Sequence, residues 1–228
     1  MPETERRKNA GASVAGQTPK LSLYADIMFE LRRRVEWVGH VVAGQTNLDP
    51  HLGQEFCLLQ LRFACELLAL GCLVAHGDIA ETQSKRFSDE WSATNLLNGL
   101  ERLNAAFFPI PVQQTPTAHE VRGKVVDGWH FQEVSEPYLK KSDVVRLYGR
   151  LGEALHRGSA NRLSTSRARY QGRSDAIVND TNSLIRLLSL HRMQLVTGDQ
   201  FVCMLKNEND EVSTFLASPV GPDIGQTI

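Results

Sequence analysis

The stretch from Phe56 to Ala75, FCLLQLRFACELLALGCLVA, is apolar nearly all round and as long as a membrane span. Gln60, Arg62 and Glu66 stand in its first half, and charge at mid-bilayer is costly. A helix of this kind in a soluble protein has neighbours on every side. The stretch therefore reads as the central helix of a bundle, with no membrane partner. Two signals bound it: Asp49-Pro50 opens a helix over about 52–76, and His76-Gly77-Asp78 closes it.

Within this helix Cys57, Cys65 and Cys72 recur at spacings of eight and seven, close to one face. With Cys203 they make four cysteines, none in a CxxC pair, so a structural zinc ribbon has no support. Thiols packed as small hydrophobes are the simple reading. The first twenty residues, MPETERRKNAGASVAGQTPK, have no apolar core and read as a disordered tail. Reduced cysteines without a signal peptide point to the cytoplasm.

Other helices follow from period 3.6. Leu23, Ile27, Leu31, Val35 and Val38 mark one over about 21–42, with Arg32, Arg33 and Arg34 as a solvated side. A helix over about 88–103 has Ser88 as its cap and Trp91, Leu96, Leu97, Leu100 and Leu103 as its apolar side. Ser142 caps another, whose core stripe is Val144, Leu147, Tyr148, Leu151 and Leu155 and whose end is Gly158. A fifth runs over about 174–192, with His191 near its apolar face.

Residues 104–139 carry Pro109, Pro111, Pro116 and Pro137 and read as an irregular connector with one short hairpin. Residues 193–218 switch to period 2 around Asn207-Glu-Asn-Asp210. They predict a small antiparallel hairpin or three-stranded sheet. The expected fold is mainly α: a bundle of four to five helices over 21–218 in one domain, with loose residues from 219 onward.

The formal charge of -1, from 25 Lys+Arg and 26 Asp+Glu, excludes a globally basic nucleic-acid binder. The average hides residues 157–173, which hold Arg157, Arg162, Arg167, Arg169 and Arg173 and no acid. That segment is a solvated loop or a site for RNA or another phosphate-bearing ligand. Phosphate-binding loops, dinucleotide fingerprints and zinc-protease motifs are absent, and the seven histidines are not at metal-ligand spacings. No cofactor or metal is expected.

The informative segment is LYGRLGEALHRGS, Leu147 to Ser159. Gly149, Gly152 and His156 share one helical face, and each glycine costs about 1 kcal/mol relative to alanine. A close-packed interface ending at His156 would use that cost. Arg62 and Glu66, four apart, are an intrahelical pair, or Glu66 faces His156 or Arg150 across the bundle and orients it.

Arg150 and His156 also fit an R-x5-H spacing, in which this chain resembles the HEPN superfamily (higher eukaryotes and prokaryotes nucleotide-binding). Leu151 follows the arginine, where active members commonly carry a polar residue. The resemblance implies a helical bundle, usually a homodimer, and often a metal-independent endoribonuclease in a toxin or phage-defence setting. Arg150 would then neutralise phosphate, and His156 would act as general acid or base. Arg157 and the basic loop would hold the RNA backbone. Stretches at Cys65–Ile79, Phe107–Val112 and Leu147–Gly158 also resemble a family of bacterial hypothetical proteins, which adds no mechanism. The alternative function is a non-catalytic helical interaction or ligand-binding protein.

Overall fold

The computed structural model describes residues 18–121, 124–156 and 173–218. Helix α1 (Thr18–Val42) leads into α2 (Pro50–Ala75), then one-turn α3 (Lys85–Ser88) and α4 (Ala93–Leu103). Strands β1 (Ile110–Val121) and β2 (Lys124–Glu133) follow. After α5 (Lys141–Leu155) and α6 (Arg173–Leu188) come β3 (Leu190–Gln194), β4 (Gln200–Met204) and β5 (Ser213–Ala217).

The central-helix expectation holds for α2. Asp49 Oδ1 accepts from the His51 and Leu52 amides, and Pro50 occupies the first turn, where no amide hydrogen is needed. The helix is long and apolar enough to cross a membrane by composition, but here it packs against α1, α4, α5 and α6. Leu61, Ala64, Cys65, Leu68 and Cys72 are fully enclosed. Truncating a leucine in such a place costs about 2–5 kcal/mol.

The mainly α bundle is overturned. The described residues form an α–β fold with a five-stranded antiparallel curled sheet in the order β2-β1-β3-β4-β5. The helical bundle implied by the HEPN resemblance is corrected with it. Residues 104–139 are no mere connector: ten residue pairs from Val112↔Glu133 to Val121↔Lys124 join β1 to β2. Their prolines are compatible with strand because of where the neighbouring strand ends. Only Ile110 and Pro111 pair with β3. Pro111 O accepts from the Val134 amide, so the two-residue alternation turns the Pro116 nitrogen away from β2, toward an edge β3 has already left. The sheet curls until Phe131 on β2 meets Phe215 on β5, with ring centroids 6.2 Å apart.

Other boundaries move for local reasons. Helix α1 begins at Thr18, inside the stretch expected to be a tail. Its buried line is Tyr24, Met28, Leu31, Val35 and Val38, while Leu23 is exposed. Helix α4 starts after Ser92, so Ser88 is not its cap and Trp91, 75% exposed, is not on its apolar side. Helix α5 starts one residue before Ser142, with Lys140 at the cap position; the Lys140 amide donates to Asp143 Oδ2 at 2.8 Å. That bond holds the Asp143 carboxyl below its ordinary range. Helix α6 stops at Leu188, and His191 belongs to β3.

Sheet and helices meet at a buried polar seam. His191 Nδ1 donates to Leu188 O at 2.9 Å, which leaves Nε2 to accept from the Tyr24 hydroxyl at 2.7 Å. Both residues are fully enclosed. Burial pushes the His191 pKa down to about 4 and the Tyr24 hydroxyl well up.

Candidate functional site

Arg150 lies within α5 and His156 at its end, and the helix turns them away from each other. Arg150 is exposed and donates from Nη2 to Asp180 Oδ1 on α6 at 2.8 Å. His156 is the residue at which α5 ends; its amide donates to Gly152 O at 3.1 Å and its ring is exposed. The pair do not converge within this chain. Positions six apart on a helix point about 120° away from each other, as the spacing predicts. Arg157, Arg162, Arg167 and Arg169 lie outside the described residues, as do residues 1–17 and 219–228.

Arg62 and Glu66 find a partner the sequence assigned to the core. Arg62 Nε lies 3.5 Å from Glu66 Oε1, and Arg62 Nη2 donates to the Tyr148 hydroxyl at 2.8 Å. Tyr148 in turn donates to Glu66 Oε1 at 2.9 Å, and the Arg62 guanidinium stacks 4.1 Å from the Tyr148 ring centroid. The guanidinium is thus held by a carboxylate, a hydroxyl and a ring face. Burial, then the Glu66 carboxylate, pushes the Tyr148 hydroxyl up to about 12. Glu66 therefore meets Tyr148 and Arg62, not His156 or Arg150.

The glycine face divides along the same helix. A Cβ on Gly152 would collide with Arg62 Nη1, so this glycine admits the arginine. A Cβ on Gly149 would meet nothing within 4 Å. The expected close-packed interface is one contact long.

A second feature escapes the sequence reading. A groove of about 560 Å³ runs between α1 and α6, with Leu205 and Lys206 after β4 also lining it. Its walls are mostly apolar: Leu31, Val35, Leu184 and Leu205 are buried core residues whose side chains also face the groove. Arg32 lines it and is only 9% exposed, against the expectation of a solvated side for Arg32–Arg34. Arg34 is also engaged, stacking 4.7 Å from the Phe63 ring centroid and donating to Gln60 Oε1 at 2.8 Å. One signal in the sequence could have found Arg32: it stands four residues after Met28 and eight after Tyr24, on the line of the buried face.

The described residues contain no cluster of His, Cys, Asp or Glu suited to a metal ion. Comparison with protein-family models, curated proteins and solved structures finds no significant match to this chain.

Proposed function

We propose that this protein is a non-catalytic ligand-binding protein that holds a small, mostly apolar molecule. One observation carries the reading: the groove of about 560 Å³ between α1 and α6, walled by side chains of the core itself. Small-molecule sites commonly fall between about 300 and 1,000 Å³ and combine apolar walls with few polar groups. The groove has that character. The test is binding of a neutral apolar dye, Nile red, to the wild-type chain and to Gly39→Leu, whose new side chain would fill the groove mouth. Saturable binding near one equivalent that the variant loses supports the reading. Non-saturable binding, or equal binding by both, refutes it.

A second reading, metal-independent RNA cleavage or RNA binding, is favoured by the exposure of Arg150 on α5 and of His156 where α5 ends. It requires a second copy of the chain, because within one chain Asp180 holds Arg150 and the histidine lies apart. RNA incubated in EDTA with wild type and His156→Ala decides it: cleavage lost in the variant supports it, and intact RNA in both rejects cleavage.

A further inference from the structure

We infer that the groove between α1 and α6 takes an amphipathic carboxylate, with its apolar body against Leu31, Val35 and Leu184 and its carboxylate on Arg32. This rests on the ligand-binding reading above and narrows it to one chemical class.

The first support is the state of Arg32. Its Nη1 donates to Leu205 O at 3.2 Å and to Asp210 O at 2.9 Å, which fixes the guanidinium at the groove wall. Nη1 also reaches Asp210 Oδ1 at 3.3 Å. Its Nε is buried and has no hydrogen-bond partner among the described residues. Glu36 Oε1 lies 3.4 Å from that nitrogen without the alignment a hydrogen bond needs. That nitrogen is closed to the groove as it is to water, so an acceptor in the groove meets the remainder of the guanidinium, which lines it. A carboxylate suits a guanidinium better than a neutral carbonyl, because it adds charge and matches the planar donor fork.

The second support is Gly39. Leu31, Val35 and Gly39 follow at intervals of four, so they share one face of α1. Glycine is a poor helix former, and here nothing crowds it: a Cβ would meet no atom within 4 Å. Backbone packing gives no reason for the missing side chain. Gly149 is equally uncrowded, so what sets Gly39 apart is its place on the groove lining, where a larger side chain would take up the space.

The third support is the rim. Lys206 adds a second positive charge, paired to Asp210 Oδ1 at 3.0 Å. The side chains of Glu36 and Asp210 are 46% and 64% exposed, so both can turn to water when another carboxylate approaches Arg32. Both ends of an amphipathic acid are then matched, the body by the walls and the head by a fixed guanidinium.

The test is titration of the ¹⁵N-labelled full chain with octanoate and, separately, octylammonium, followed by amide resonances. Octanoate should shift the amides of Val35, Gly39, Leu184 and Lys206 saturably, and bind at least about tenfold tighter than octylammonium. Gly39→Leu should lose the shifts while melting no lower than wild type. Equal binding of the two probes would overturn the carboxylate inference and leave ligand binding standing. Binding undiminished in Gly39→Leu would overturn the location. Binding of neither probe at millimolar concentration would overturn the inference and the reading beneath it.

Discussion

Arg32 on α1 and Arg62 on α2 each carry a glutamate four residues on, with Nε to Oε1 distances of 3.4 and 3.5 Å. Each is at least partly buried, and each has a glycine in its surroundings: Gly152 against Arg62, and Gly39 on the groove that Arg32 lines. At the α2–α5 contact, Gly152 gives way to Arg62, and Tyr148 closes the circuit between the arginine and Glu66. At the α1–α6 groove, Gly39 faces open space and Arg32 keeps a buried Nε without a partner. The same pair of residues in sequence thus gives a satisfied packing contact in one place and an unsatisfied cavity wall in the other. What separates them is the helix opposite: α5 offers a hydroxyl, and α6 does not fill the space.

The closed end of this comparison is carried furthest by His191, which is wholly enclosed and fully bonded. Its largest expected effect appears with acid. The unfolded chain takes up a proton near pH 6.5, but the folded chain not until about 4, because burial disfavours the charged ring. The unfolded state binds more protons between those values, so stability falls as pH drops through that window and is flat above it for this residue. The expected loss reaches about 3 kcal/mol. Urea unfolding at neutral pH and near pH 4.5 measures it, and His191→Gln should flatten the dependence. A dependence unchanged in that variant would remove His191 from the closed class.

Tyr148→Phe comes next. It deletes the hydroxyl between Arg62 and Glu66 and should cost about 1.5 kcal/mol, since hydrogen bonds to charged groups contribute about 1.5–3 kcal/mol. A chain of this size would melt about 3–6 °C lower. No change in melting temperature would mean that the α2–α5 cluster is as loosely held as the groove.

The smallest effect is the most discriminating, because the two glycines should respond differently to one substitution. Gly39→Ala gains helix propensity at no steric cost and should stabilise by up to about 1 kcal/mol. Gly152→Ala gains the same propensity but drives Arg62 off Tyr148, so the net gain should vanish or reverse. Equal shifts in the two melting curves would erase the distinction between the sites.

The sequence made some of this legible. Helices α1, α2, α5 and α6 were visible because leucines and valines at period 3.6 have to share a face, and Asp49-Pro50 marked the α2 start. The terminal strands were visible from period 2 around Asn207–Asp210. The long β1–β2 hairpin was not, because proline is a poor strand residue unless a neighbouring strand has already ended, and sequence does not show which strand lies beside which. The same limit hid the groove. Arg62 and Glu66 stand out in an apolar helix, whereas Arg32 is the first of three consecutive arginines, a pattern that reads as solvated. Whether such a residue is covered depends on residues 205–210, which are remote in sequence. The spacing of Tyr148 places it in the core, and spacing carries no information about where its hydroxyl points.

The four buried cysteines give the fold a graduated ruler. Cys57, Cys65, Cys72 and Cys203 are unbonded and enclosed, and burial pushes the first two up to about 11 and 12 and the others higher. An alkylating reagent needs both access and thiolate, so the native chain should stay silent toward it. Three of the marks lie along α2, about 12 and 10 Å apart by helical rise. The number of labels acquired, counted by mass, therefore reports how much of the central helix has come open, and the order in which they arrive reports from which end.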